Sequence, residues 1–174
     1  MWIARPLSLA LAAAALLWAT PPRAGEPGPA SVPVEALVDA VGAWIAAELG
    51  LEAAPTPPEI RRDPPERLAA LRGWDVGTPG RPGHAGVLAL YDASAQRIHL
   101  RSDWAGRDVA EVSVLVHELV HHAQHVAGRR FGCPGAAEAE AYALQARWLG
   151  LFGASLADLG VDPLFVRLLG ACGL

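Results

Sequence analysis

The segment that decides the fold is residues 108–128, which read DVAEVSVLVHELVHHAQHVAG. Its apolar residues are spread around all sides of a helical projection, which predicts an almost wholly buried helix over Asp108–Ala127. Asp108 and Glu111 have the spacing of a capping box, and Gly128 is suited to end the helix. Polar side chains in the middle of such a helix need partners, because an isolated polar group in a core is costly.

The polar residues at its centre form the motif His117-Glu118-Leu119-Val120-His121. Two residues four apart on a helix lie about 40° apart around the axis, so both imidazoles share a face and can occupy two corners of one tetrahedral ion. Glu118 borders that face, as in the HExxH pattern in which the glutamate acts as general base. His125 is not expected to be a ligand, because His117 and His125 are about 12 Å apart along a straight helix.

A third protein ligand is expected on the next helix, which carries Glu138 and Glu140. These two residues point in directions about 200° apart, so only one of them can serve. The apolar stripe of this helix slightly favours Glu140. The polar neighbours Tyr142 and Gln145, which share a flank with Glu138 and can orient a ligand, favour Glu138. The residues alone leave both choices open.

This combination resembles the HExxH zinc metallopeptidases of the gluzincin type, in particular their minimal single-domain members. Those enzymes pair HExxH with a glutamate on a following helix, often in an E-x-x-A setting, which Glu138-Ala139-Glu140-Ala141 matches. The resemblance implies a Zn²⁺ cofactor held by His117, His121 and Glu138, with Glu140 as the alternative third ligand. It implies that Glu118 is the catalytic base.

The resemblance covers about Val87 to Trp148, including a hairpin whose edge strand lines the substrate cleft in such enzymes. Where the E-x-x-A-D variant has Asp, this chain has Tyr142. Tyr142 lies one helical turn beyond Glu138 and is the first candidate to stabilise an oxyanion. His84 and His99 are weaker candidates for that role.

The rest of the chain predicts an α+β fold, a minimal zincin-like domain. Its small antiparallel sheet would pack on the HExxH helix and on the following ligand helix. Alternating and periodic apolar residues place the elements. The predicted strands are Val87–Tyr91 and Arg97–Arg101, with a possible short strand at Glu59–Arg62. The predicted helices flanking the central one are Ser31–Leu49, a turn at Pro64–Leu71, Ala136–Leu149 and a short helix from Asp162. In the strand Arg97–Arg101, the face of Arg97, His99 and Arg101 is expected to be wet.

The N-terminus has the layout of a secretory signal peptide. Arg5 is followed by the apolar run Leu7–Ala19, which is short for a membrane span. We expect cleavage after Ala24, with Ala19 as the alternative, so that residues 1–24 are the signal and residues 25–174 a single zincin-like metallopeptidase domain. No stable membrane insertion is then expected. The basic residues are all Arg, which we interpret as the codon bias of a GC-rich bacterial genome.

Charge and cysteines add two expectations. Removing Arg5 and Arg23 from the 14 basic residues leaves 12 against 18 acidic ones, a poor balance for binding nucleic acid. Two cysteines in an oxidising compartment predict one disulfide, Cys133–Cys172. The predicted function is therefore a secreted or periplasmic zinc-dependent peptidase acting on a peptide or protein substrate. The alternative is a catalytically inactive zinc-binding protein or interaction module on a zincin-like scaffold.

Overall fold

The structure, a computed structural model, describes residues 33–73 and 87–172. Along these residues the chain forms five α-helices, one 3₁₀ helix and three strands, so the fold is α+β. In chain order they are α1 (Val34–Leu49), β1 (Glu59–Asp63), α2 (Pro65–Leu71), β2 (Ala89–Asp92), β3 (Arg97–Arg101), α3 (Val109–Val126), α4 (Pro134–Gly150), the 3₁₀ helix (Leu156–Leu159) and α5 (Pro163–Gly170). Within the described ranges no helix combines the length and the apolar character that a membrane crossing needs. The predicted signal peptide and His84 lie outside these ranges.

Helix α3 contains the HExxH motif and begins where the sequence predicts. The Asp108 carboxylate accepts a hydrogen bond from the Glu111 N–H at 2.8 Å and so caps the first turn. The reciprocal half of the predicted capping box is absent. The Glu111 carboxylate instead accepts from the N–H groups of Ala105 and Arg107, at 3.2 and 2.9 Å. Glu111 therefore ties the preceding loop to the helix.

The hydrophobic core surrounds α3 on most of its circumference. Apolar side chains from α1, α4 and the sheet pack against it. Burying each Val or Leu of this kind contributes about 1.5–3 kcal/mol relative to leaving it in water. The fully buried apolar side chains of α3 are Val112, Leu115, Val116 and Val120. The sequence expectation of an almost wholly buried helix is thus confirmed.

The sheet has the order β1-β3-β2 and is mixed, which corrects the expectation of an antiparallel sheet. Strands β2 and β3 form the expected antiparallel hairpin, with Tyr91 opposite Ile98. Strand β1 pairs with β3 in parallel, with Ile60 beside Ile98. Parallel strands need a long crossover between them, and the connection from β1 to β3 includes both α2 and β2. Among the described strands, β2 lies at one edge of the sheet.

The predicted wet face of β3 is wrong at His99. Ile98 and Leu100 face the core, and His99 points to the opposite side of the sheet. That side is covered because α2 packs on β2 and β3. His99 is buried there, with its Nδ1 2.6 Å from an oxygen of the Asp63 carboxylate. It lies outside the cluster of His117 and Glu118.

The disulfide Cys133–Cys172 is present, which confirms the predicted pairing. It joins the residue before α4 to the residues that follow α5. No residue of α5 is buried, so packing alone holds this helix weakly. The contact with α4 is nevertheless close, since a Cβ at Gly135 would lie 2.4 Å from the Leu169 carbonyl oxygen. The bond keeps α5 on the first turn of α4.

Breaking this disulfide should lower the free energy of unfolding. The bond spans 39 residues, and the chain-entropy model gives a loss of roughly 3–4 kcal/mol for a loop of about that length. Cys133→Ser, Cys172→Ser and the double variant should all lose the same amount, because each removes the same bond. Urea unfolding measures the loss. Unequal losses, or no loss on adding a reductant to the wild type, would contradict the assignment.

Candidate metal centre

The site is formed where polar stripes on α3 and α4 face each other. Contacts between Ser113 and Gln145 at one end, and between Gln124 and Ala137 at the other, show that these helices run antiparallel. Residues three and four apart share a helix face, so the spacing of the polar residues along each helix places them in one stripe. The stripe on α3 consists of Ser113, His117, His121 and Gln124, and the stripe on α4 consists of Glu138, Tyr142 and Gln145.

Three potential ligand atoms meet between the stripes. His117 Nε2 lies 3.1 Å from His121 Nε2 and 3.2 Å from Glu138 Oε2. His121 Nε2 lies 3.5 Å from Glu138 Oε1. Within the described residues these three side chains are the group of histidine, cysteine, aspartate and glutamate that could hold a metal ion. Glu138, and not Glu140, is the α4 glutamate that reaches both histidines.

The hydrogen bonds of Gln124 fix the tautomer of His121. The carboxamide nitrogen of Gln124 donates to the Ala137 carbonyl oxygen and to the Glu140 carboxylate, each at 3.0 Å. The carboxamide oxygen of Gln124 therefore faces His121 Nδ1, also at 3.0 Å. Because this oxygen can only accept a hydrogen bond, His121 Nδ1 must carry the proton. His121 Nε2 is then left with a lone pair directed at the other two ligand atoms.

Gln145 fixes the tautomer of His117 in the same way. The Ser113 hydroxyl donates to the Ala110 carbonyl oxygen at 2.8 Å, so it accepts from Gln145 Nε2 at 3.1 Å. Gln145 Oε1 then faces His117 Nδ1 at 3.1 Å and accepts its proton. Both bonds are buried. His117 Nε2 is consequently the second lone pair in the cluster.

This arrangement suits a cation. Two lone pairs and a carboxylate face each other with no proton between them, which is repulsive unless a positive charge joins them. Two ligands of a tetrahedral zinc ion, each at about 2.0–2.1 Å from the metal, are about 3.3–3.4 Å apart. The three separations given above, 3.1, 3.2 and 3.5 Å, lie close to that value. The donor set of two imidazoles and one carboxylate therefore fits zinc.

The pKa values express the same attraction for positive charge. Burial favours the neutral form of Glu138, but the ring nitrogens of His117 and His121 beside its carboxylate outweigh burial, because a proton on either ring would place a positive charge there. The pKa of Glu138 is therefore held far below its ordinary value. Burial lowers the pKa of His121, but the carboxylates of Glu138 and Glu118 outweigh it and raise that pKa. A metal ion binding here competes with a proton for the same atoms.

Glu118 is held beside the cluster by the edge strand. One oxygen of its carboxylate accepts a hydrogen bond from the Tyr91 N–H of β2 at 2.8 Å. The Tyr91 ring is fixed in turn, because its hydroxyl donates to His122 Nδ1 at 3.1 Å while His122 Nε2 donates to the Thr56 carbonyl oxygen at 2.8 Å. Burial lowers the pKa of His122, in keeping with this neutral form. His122 is a buried hydrogen-bonded residue.

Tyr142 packs its ring edge-on against His117, with ring centroids 4.6 Å apart. Burial and the nearby charge of Glu138 raise the pKa of its phenol, so it remains protonated near neutral pH. A protonated phenol is a hydrogen-bond donor. Tyr142 is therefore placed and protonated as a hydrogen-bond donor to negative charge would be, whereas His99 lies on the far side of the sheet.

Glu140 has a different neighbourhood. Its carboxylate accepts from Gln124 Nε2 and pairs with Arg129 at 2.5 Å. It therefore holds the carboxamide that orients His121 and does not itself face the two histidines. Glu140 lies near the apolar stripe of α4 because its side chain is half-buried in this supporting contact.

Two open cavities flank the cluster. One, of about 300 Å³, lies beside Tyr142 and is lined by apolar side chains such as Val114 and Val161. The other, of about 330 Å³, lies on the side of His121 and His125. Glu118, Glu138 and Arg72 line both. A larger cavity of about 410 Å³ lies behind α3, between α1 and residues 54–58, away from the cluster.

Sequence reasoning did not single out Ser113, Gln124 or Arg72. A signal for the first two was present, since Ser113 precedes His117 by four residues and Gln124 follows His121 by three on a buried helix. No local signal existed for Arg72, which ends α2 and reaches the site only through the tertiary fold.

These features belong to an α+β protein with a two-histidine, one-carboxylate cluster on paired helices. The chain belongs to the family described as Domain of unknown function (DUF6647), whose model matches residues 30–173. No curated protein matches the chain, and no solved structure matches it either.

The two glutamates of α4 should differ sharply in their effect on metal affinity. Glu138→Gln removes an anionic group from the cluster and should abolish stoichiometric zinc. Glu140→Gln has the same change of charge but leaves the cluster intact, so it should weaken zinc binding by about tenfold at most. Competition with a chromogenic chelator measures both affinities. Equal losses in the two variants would contradict the assignment.

Gln145 should control zinc affinity through the tautomer of His117. Gln145→Leu keeps the approximate volume but removes the acceptor for Nδ1, and losses of outer-shell partners typically cost about 10–100-fold in affinity. Leu144→Met, a buried change on the adjacent position, is the control for packing and should leave affinity unchanged. The same chelator competition applies. Unaltered affinity in Gln145→Leu would exclude the orienting role.

Proposed function

We propose that this protein is a secreted or periplasmic zinc-dependent peptidase with a zincin-like domain. The observation that carries the proposal is the convergence of His117, His121 and Glu138, with Glu118 fixed beside them by a backbone hydrogen bond. This is the constellation that an HExxH hydrolase needs: three ligands, a neighbouring carboxylate and open space. The disulfide supports an oxidising compartment.

Zinc bound by the three residues would act as a Lewis acid on the scissile carbonyl and lower the pKa of a water molecule toward about 7. Glu118 takes the proton from the attacking water and passes it to the leaving nitrogen. Its hydrogen bond to the Tyr91 N–H uses one carboxylate oxygen and fixes the orientation of the other. Tyr142 donates its phenol proton as a hydrogen bond to the developing oxyanion.

Strand β2 offers a place for the substrate backbone. The Arg101 N–H donates to the Leu88 carbonyl oxygen, so Leu88 and Leu90 direct their main-chain groups toward β3. The alternate residues Ala89 and Tyr91 direct theirs away from β3, toward the edge of β2 that no described strand occupies. The Tyr91 N–H is used by Glu118, which leaves the Ala89 groups for an extended peptide lying along the strand. Ala89 lines the cavity beside Tyr142.

Removing the base should separate zinc binding from hydrolysis. Glu118→Gln keeps an oxygen that can accept from the Tyr91 N–H, so the cleft should keep its shape and its zinc. Hydrolysis should fall by several orders of magnitude because no group remains to accept the proton of the attacking water. Metal analysis and a peptide-library assay on the same preparation give both values.

Histidine variants provide the matched control. His117→Ala and His121→Ala should lose zinc and activity together, whereas Glu118→Gln should lose activity alone. Full activity in Glu118→Gln would exclude the mechanism. Stoichiometric zinc with no hydrolysis in the wild type would instead favour the alternative, a zinc-binding protein without turnover.

Tyr142→Phe should lower kcat with little change in KM, because the phenol acts on charge that develops only in the transition state. Loss of one such donor typically costs about 10²–10³-fold in kcat. The ring and its contact with His117 remain, so zinc content serves as the control. A rise in KM at constant kcat would show that Tyr142 binds the ground state instead.

A further inference from the structure

Arg72 is a solvent-exposed arginine that borders the cleft. It ends α2, and its N–H donates to the carbonyl oxygen of Leu68, a fully buried residue that anchors the helix under the sheet. Its side chain lines both cavities, on either side of Glu118 and Glu138. In the described ranges its guanidinium makes no ion pair, whereas Arg129, the other arginine of the cleft, is paired with Glu140.

The charges of the cleft leave Arg72 unbalanced once a dication is bound. Glu118 and Glu138 together neutralise the two positive charges of the metal, and Glu140 neutralises Arg129. The other titratable side chains that line the second cavity are His125 and Tyr91, and burial raises the pKa of the Tyr91 phenol. The guanidinium is therefore one excess positive charge facing the space where a substrate would lie, and it favours an anionic group there.

The geometry of a guanidinium selects the kind of anion. Its parallel N–H groups match the two oxygens of a carboxylate, whereas a peptide carbonyl uses one N–H and leaves the charge unmet. The cavity beside Tyr142 has about 300 Å³, at the small end of the range for ligand sites. A short peptide whose chain ends close to the scissile bond suits both features.

We propose that Arg72 binds the terminal carboxylate of a short peptide substrate, so that the enzyme acts near free C-termini. This inference rests on the proposed peptidase function and names its substrate class. Arg72 is then a specificity-determining residue, and its contribution should depend on the substrate carrying a free carboxylate. An internal peptide bond far from a chain end would not use it.

The test measures binding without turnover. Zinc-loaded Glu118→Gln protein is titrated calorimetrically with N-acetylated tripeptides, each as the free acid and as the matching C-terminal amide. The free acids should bind about 10–100-fold more tightly, the range expected for a hydrogen-bonded charge pair. Adding Arg72→Gln should remove that preference, and Arg72→Lys should restore only part of it. Arg67→Gln, the same charge change one turn earlier on α2 and outside both cavities, should leave the preference intact.

Three outcomes overturn the role of Arg72: equal binding of acids and amides, binding of neither, or a preference that survives Arg72→Gln. The last is expected if the carboxylate binds the metal directly. Failure of the proposed function is distinguishable because zinc content and wild-type hydrolysis are measured separately. Hydrolysis without selection of free acids overturns only Arg72, whereas selection through Arg72 without hydrolysis overturns only the peptidase.

Discussion

Two neutral carboxamides fix the protonation of two imidazoles, and the rest of the site depends on this. Gln124 and Gln145 each present an oxygen to an Nδ1 atom, so both Nε2 lone pairs must face inward toward the Glu138 carboxylate. A set of acceptors this close together is stable only around a positive charge. Orientation of the carboxamides is set further out, by Ser113 and by Glu140. The cluster is thus specified by partners one and two contacts away from it.

The burial of α3 explains why such partners are needed. Helix α3 is covered on most sides by α1, α4 and the sheet, so its polar side chains have almost no access to water. Each of them must therefore bind a protein partner or an ion. The edge strand meets the same need for Glu118 through the Tyr91 N–H. Because one strand residue holds the base and its neighbour Ala89 borders the cavity, substrate and base would be aligned by a single element.

Spacing along one helix could be predicted, and spacing between elements could not. Local sequence patterns predict three features: the stripe that contains His117 and His121, the cap at Asp108, and the hairpin. The choice between Glu138 and Glu140 depends on the rotation of α4 about its axis, which the close contact of α5 at Gly135 and the core packing of Trp148 help to set. Likewise, the parallel pairing of β1 and the burial of His99 depend on a crossover whose return position no local pattern encodes.

The neutrality of the two carboxamides has a chemical consequence. Metal-binding histidines are often oriented by carboxylates, which add negative charge to the imidazole and through it to the metal. Here the orienting groups are the neutral carboxamides of Gln124 and Gln145, which add no negative charge. The negative charge of the three ligands would therefore come from Glu138. A dication bound at this site would keep more of its charge, which would strengthen its pull on a carbonyl and on a water.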